Sequence, residues 1–142
     1  MNQVQVLLVE DNAGDILLIK EAFEDVKVNE IKVLRDGEKA INYLDQNEEF
    51  RDSVLPDLII LDINLPRKSG HEVLKFIKYN EKLKAIPVIM LTTSSSDNDI
   101  AKSYENYVNC YITKPVEGDE FLKAITTIEN FWINLVKLPT SH

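Results

Sequence analysis

Four places in the 142-residue chain end an apolar run on a side chain able to do chemistry. Val4–Val9 is followed by Glu10 and Asp11, Leu58–Leu61 by Asp62, Pro87–Leu91 by Thr92, and Cys110–Ile112 by Thr113 and Lys114. A carboxylate is a competent nucleophile toward phosphorus and gives an acyl phosphate. Three carboxylates in one pocket repel one another and resist joint ionisation. A hard divalent cation removes that conflict, and Mg2+ takes carboxylates together with phosphate oxygens. A lysine and a hydroxyl beside them would stabilise a phosphoryl group in transit. The combination predicts a Mg2+-dependent phosphoryl acceptor. Asp62 is the expected nucleophile, Glu10 and Asp11 the accompanying acids, and Thr92 and Lys114 the stabilisers. Each alone has a plainer use as a turn residue, a helix cap or a surface charge, so the joint pattern carries the reading.

Those residues matter only if the fold brings them together. Leu58–Leu61 is apolar without alternation, as in a strand buried on both faces. Pro66 and Gly70 follow within a few residues and turn the chain. Further strands are expected at Val4–Val9, Ile31–Leu34, Pro87–Leu91 and Cys110–Ile112. Between them, apolar residues three and four apart predict helices. The first runs from about Asp15 to Asp25, with Ile16, Ile19, Phe23 and Val26 inward and Leu17 on the opposite side. The second spans Glu38–Asp45 with Ala40, Ile41 and Leu44 inward, and the third Gly70–Asn80 with Val73, Leu74 and Ile77 inward. A fourth follows the polar turn Ser94–Asp97 and ends near Asn106. The last spans Gly118–Val136 with Phe121, Ile125, Ile128, Trp132 and Leu135 as its core stripe. The longer Gln46–Pro56 connection is expected to anchor on Phe50, Val54 and Leu55.

Five strands alternating with five helices predict a doubly wound α/β fold with a five-stranded parallel sheet and right-handed crossovers. Parallel strands place all their C-terminal ends on one edge, where ligands bind in open α/β sheets. The elements account for residues 1–142 as one domain, with no linker, internal repeat or second domain expected.

Composition narrows the classes. The chain is 44% hydrophobic and 28% charged, ordinary for a globular domain. A net charge of -8 opposes direct nucleic-acid binding, which needs a basic face. No apolar run reaches the length of a membrane span, and no signal peptide is visible. The single cysteine, Cys110, excludes an internal disulfide framework and suits a reducing, cytoplasmic location.

With these motifs in place, the chain resembles the receiver domain of two-component response regulators from Val4 to about Trp132. The resemblance rests on Glu10-Asp11, the strand ending at Asp62, the Asp62-Ile63-Asn64-Leu65-Pro66 turn with Gly70, Thr92 after an apolar strand, and Lys114-Pro115. It implies the flavodoxin-like receiver topology, with no output domain. It implies that a sensor histidine kinase or a phosphotransfer protein phosphorylates Asp62. Asp11, Asp62 and the Asn64 carbonyl would ligate Mg2+, with Glu10 acting through water, and Lys114 would pair with the phosphoryl oxygens. The Lys114–Pro115 bond would be cis. Thr92 and Tyr111 would form a switch that remodels the face made by the fourth helix, fifth strand and fifth helix.

Segments such as Asp11–Asp15, Val108–Pro115 and Ile128–Trp132 resemble the single-domain regulators paired with bacterial phytochromes. That implies a phytochrome kinase as partner. One departure is Thr93, where a smaller residue is common; its branched side chain would narrow access to the phosphoryl group. The first helix, with Leu17, would dock on the kinase. Surplus apolar residues on the last helix, Leu122, Phe131 and Ile133, suggest a homodimer or partner contact through the fourth-helix to fifth-helix face. Two other readings fit less well. A Mg2+-dependent phosphohydrolase with an aspartyl phosphate would carry an acid where Asn64 stands. A flavodoxin-like cofactor binder would need a glycine-rich phosphate loop, and neither common spacing is present.

Overall fold

The structure is a computed structural model and describes residues 4–23 and 28–139. Five strands form one sheet: β1 (Val4–Val9), β2 (Val28–Leu34), β3 (Leu58–Leu61), β4 (Val88–Thr92) and β5 (Cys110–Thr113). Their order is β2-β1-β3-β4-β5, and every pairing is parallel. Helices α1 (Ala13–Ala22), α2 (Gly37–Leu44), α3 (Gly70–Lys78), α4 (Asp97–Glu105) and α5 (Gly118–Ile128) make the crossovers. The expected five-stranded doubly wound sheet is therefore the observed one. Among the described residues, no helix is long and apolar enough to cross a membrane.

Alternation along the strands sorts the core onto two faces. Leu7, Val9, Ile59, Leu61, Val88 and Met90 meet Ala40, Tyr43 and Leu44 of α2 and Val73, Leu74 and Ile77 of α3. Val6, Leu8, Leu58, Ile60, Ile89 and Leu91 meet Ile19 of α1 and Phe121, Ile125 and Ile128 of α5. The central strands β3 and β4 are buried throughout and read as apolar runs for that reason, and β1 is buried from Val6 to Val9. Four helix starts are capped by side chains accepting from the third residue on: Asn12 from Asp15, Asp36 from Lys39, Ser69 from Glu72 and Ser96 from Asp99.

Helix α4 differs from the others. Its one buried residue is Ser103, whose hydroxyl donates to the Asp99 carbonyl at 2.8 Å. Lacking a buried apolar stripe, α4 depends on polar contacts for its placement.

Several sequence expectations are corrected. Strand β2 begins at Val28, three residues before Ile31, because backbone pairing along β1 continues past the apolar segment. Helix α1 starts at Ala13, since Asn12 and not a later residue provides the cap. The expected ends of that helix, Asp25 and Val26, lie outside the described residues. Val54 is exposed and is held by its carbonyl, which accepts from the Tyr43 hydroxyl at 3.1 Å, whereas Phe50 and Leu55 do pack on the core.

The last helix is not a uniform α-helix to Val136. After Ile128 it continues as a π-helical segment, Glu129–Leu135. The wider turn moves the buried face from i+4 to i+5. Ile133, five residues after Ile128, is buried at 7% exposure, and Leu135 stands 70% exposed. Trp132 stays partly buried against the core. Ile133 therefore belongs to the core and not to the surplus apolar surface, which Leu122, Phe131 and Leu135 supply instead.

Candidate functional site

The C-terminal ends of β1, β3, β4 and β5 lie side by side. Val9 pairs with Leu61, Leu61 with Met90, and Thr92 with Thr113. The next residues, Glu10, Asp62 and Lys114, therefore emerge on one edge. Lys114 Nζ donates to Glu10 Oε1 at 2.7 Å, although 104 residues separate them, and stands 3.4 Å from Asp62 Oδ2. All three side chains are nearly buried, at 5%, 3% and 8% exposure for Lys114, Glu10 and Asp62. The Lys114 main chain is fixed as well, because its N–H donates to the Thr92 carbonyl at 2.6 Å.

The Asp62 turn is held from below. Asp62 N–H donates to the Val9 carbonyl, and Gly70 N–H donates to the Ile63 carbonyl at 2.8 Å. A Cβ on Gly70 would lie 2.1 Å from the Asp62 carbonyl oxygen, so only glycine lets α3 start this close to the turn. Asn64 N–H approaches Asp62 Oδ1 at 3.4 Å, and the Asn64 side chain is exposed.

Burial and charge set the protonation states. Burial pushes the Glu10 carboxyl up to about 7, against the hydrogen bond from Lys114, and the Asp62 charge adds to the rise. Burial alone would lower Lys114. Its hydrogen bonds to Asp15 and Glu10 and the charge of Asp62 outweigh that and raise it to about 12. Lys114 is thus a cation at neutral pH beside an acid that burial holds well above the usual carboxylate range.

Not every expected residue converges. Asp11 turns away: its carboxylate pairs with Arg35 at 3.7 Å, and Arg35 Nη2 donates to its carbonyl at 2.8 Å. The third acid on Lys114 is Asp15, at 2.8 Å. Sequence reasoning placed Asp15 only as the start of the first helix. The usable signal was its place in the first turn of α1, the helix that follows the β1 end carrying Glu10. Among the described residues, no group of three or more His, Cys, Asp or Glu side chains is already gathered as a metal cluster. An ammonium sits among the acids, and Asp11 is drawn to Arg35.

The Lys114–Pro115 bond is trans, since no described peptide bond is cis. The trans form is the commoner one before proline. Lys114 reaches the site through its three carboxylate partners and the Thr92 carbonyl, without the cis bond the resemblance implied.

Thr92 is fully buried at the end of β4, and its Oγ1 accepts from Ser94 N–H at 3.4 Å. Thr93 is exposed. Tyr111 is half-buried against the core, and its hydroxyl donates to the Ser94 carbonyl at 2.8 Å. A second polar group lies beside these residues. His71 Nε2 is 2.9 Å from Asp99 Oδ1, and Ser94 Oγ donates to Asp99 Oδ2 at 2.6 Å. Sequence reasoning missed it because His71 reads as one more residue of the α3 face.

The chain is similar to known proteins. The family model for the response regulator receiver domain matches residues 6–126. The response regulator Rcp1 of Synechocystis sp. is 44% identical over 137 residues, covering 96% of this chain and 93% of that protein. The solved Mn2+-bound form of Rcp1 superposes with a TM-score of 0.94, covering 96% of this chain and 99% of that one. The phosphorylated cyanobacterial phytochrome response regulator RcpA is 45% identical with a TM-score of 0.95, covering 97% and 99%. With a five-stranded parallel sheet, an acidic edge and relatives this similar along nearly its whole length, the chain belongs to the response regulator receiver domain family, whose members accept a phosphoryl group in signalling.

Proposed function

We propose that Asp62 is the phosphoacceptor and that its donor is a phosphohistidine on a sensor kinase or phosphotransfer protein. In the transfer, a P–O bond forms to Asp62 as the P–N bond to the donor imidazole breaks, and that nitrogen keeps the electron pair and takes up a proton. The observation that carries this reading is the ammonium of Lys114, held by Glu10 and Asp15 and standing 3.4 Å from Asp62 Oδ2. A cation fixed there neutralises phosphoryl oxygens without reorganising during the reaction. Thr92, buried at the adjacent strand end, offers its hydroxyl hydrogen to the same oxygens.

The donors fit a hard divalent cation. Glu10, Asp15 and Asp62 surround one ammonium, so the edge keeps excess negative charge once Glu10 ionises. Every candidate ligand is an oxygen: the carboxylates of Glu10, Asp11 and Asp62 and the carbonyl of Asn64. Asp11 is tied only by a long, half-exposed ion pair of the kind worth little. Mg2+ bound there supplies further charge neutralisation for the phosphoryl group.

The similarity to Rcp1 and to the phytochrome response regulator RcpA supports a phytochrome-type histidine kinase as donor, in the cytoplasm. The chain itself acts as acceptor and not as a turnover enzyme. Leu17, 58% exposed on α1, is the proposed kinase contact. The message leaves by contact through the face of α4, β5 and α5, where Thr92, Tyr111 and Pro115 form the switch. On and beside that face Tyr104, Val116 and Leu122 are exposed, which supports a homodimer or a downstream protein there.

Incubation with acetyl phosphate and Mg2+ followed by intact mass tests the acceptor. One added phosphoryl group, labile to hydroxylamine and absent in Asp62→Asn, is the expected result. A gain that persists in Asp62→Asn would overturn the assignment.

A further inference from the structure

We propose that His71 is a positioning residue that clamps the β4–α4 loop through Asp99 and Ser94, and so tunes phosphoryl transfer to Asp62. The proposal rests on Asp62 as the acceptor. His71 lies in the first turn of α3, next to Gly70, whose backbone is locked against the Asp62 turn. His71 is therefore tied to the phosphoacceptor strand. Asp99 lies in the first turn of α4, a helix with no buried apolar side chain of its own. The His71–Asp99 contact links these two helices.

The ring's tautomer follows from its surroundings. His71 is 8% exposed, and its Nδ1 is buried with no hydrogen-bond partner. A proton on Nδ1 would be an orphaned buried donor. A proton on Nε2 instead donates to Asp99 Oδ1 at 2.9 Å. Nε2 is thus the ring nitrogen that donates to Asp99.

Asp99 passes the constraint on. Its second oxygen accepts from Ser94 Oγ at 2.6 Å. Hydrogen bonds from Ser94 first, and from His71 next, hold its carboxyl below the usual range. Ser94 is a three-way node. Its Oγ is on Asp99, its carbonyl accepts from the Tyr111 hydroxyl at 2.8 Å, and its N–H reaches Thr92 Oγ1 at 3.4 Å. One continuous polar path therefore joins the α3 end of the Asp62 turn to Thr92 and to β5. Loss of the His71 donor frees Asp99 to rotate toward solvent, since its side chain is already 29% exposed. The loop then samples positions in which Thr92 and Tyr111 are no longer held.

The test uses the full chain with 3-fluorotyrosine, the Tyr111 signal being assigned with Tyr111→Phe. In unphosphorylated His71→Phe the Tyr111 19F resonance is expected to move toward its solvent-exposed position. Phosphorylation by acetyl phosphate should slow about tenfold, the population change one charge-assisted hydrogen bond can hold. His71→Gln, which restores an N–H donor to Asp99, should recover both readouts. Ser94→Ala should mimic His71→Phe, and adding His71→Phe to it should produce no further shift of the Tyr111 signal. An unmoved Tyr111 resonance in folded His71→Phe and Ser94→Ala overturns the clamp, as does additivity in the double variant or failure of His71→Gln to rescue. A failure of the acceptor reading appears separately, as mass gain in Asp62→Asn.

Discussion

Replacing Lys114 by Met removes the ammonium that Glu10, Asp15 and Asp62 share while keeping an unbranched apolar stem. The Lys114 side chain is 5% exposed, and its contacts at 2.7, 2.8 and 3.4 Å are lost together. Removing one partner of a buried ion pair costs about 3–5 kcal/mol, mainly through the charge left uncompensated. Glu10 softens this by taking a proton, because its carboxyl already sits at about 7 with Lys114 in place and rises further without it. At pH 8 in EDTA the expected loss is therefore about 3 kcal/mol, at the low end of that range. Mg2+ should raise the stability of both wild type and variant, since a ligand at a hundred times its Kd stabilises by about 2.7 kcal/mol. The assay is urea unfolding followed by far-UV circular dichroism, in EDTA and in excess Mg2+. A loss in EDTA below about 1 kcal/mol would refute the claim that Lys114 compensates buried Glu10 and Asp62 together with the part-exposed Asp15, that being the range of an exposed pair. Stability of wild type and variant alike left unmoved by Mg2+ would refute the reading of this edge as a cation site.

Three further outcomes are expected. The folded pKa of Glu10, about 7, lies above its ordinary value of 4.5, so the folded state holds this proton more tightly. Its stabilising contribution is full below pH 4.5 and is lost as pH rises through 7, which urea unfolding should show as a decline of up to about 3 kcal/mol in wild type relative to Glu10→Gln. Gly70→Ala drives a Cβ to 2.1 Å from the Asp62 carbonyl oxygen. Thermal unfolding should report a loss of about 3 kcal/mol, and phosphorylation of Asp62 should slow. Ile133→Ala should cost about 2–4 kcal/mol as a core deletion, and Leu135→Ala within about 0.5 kcal/mol of nothing. The reverse order would show that the segment after Ile128 is an ordinary α-helix.

Which residues enter the core was legible wherever packing is periodic. Val73, Leu74 and Ile77 repeat on one face of α3, and all three are fully buried. The same logic failed at Leu135, because a π turn changes the repeat and nothing in the pattern of apolar residues marks where it begins. Val54 failed for another reason. It sits in an irregular connection, where no periodicity says which side chain turns inward.

At the edge, Glu10, Asp62 and Lys114 meet and Thr92 ends the neighbouring strand, and one argument leads there: parallel strands that end on charged or hydroxyl residues deliver them to a common edge. That argument uses only apolar run length and the polarity of the next residue, both local in sequence. Partner choice at that edge is not local. Asp15 displaces Asp11 at Lys114, Arg35 captures Asp11, and His71 finds Asp99 across two helices. Each outcome depends on distances of a few ångströms between side chains from separate elements, and a carboxylate looks the same in the chain whether or not a cation lies within its reach. Local patterning thus settled the sheet, its edge and the identity of the groups delivered there; three-dimensional packing settled which of them meet.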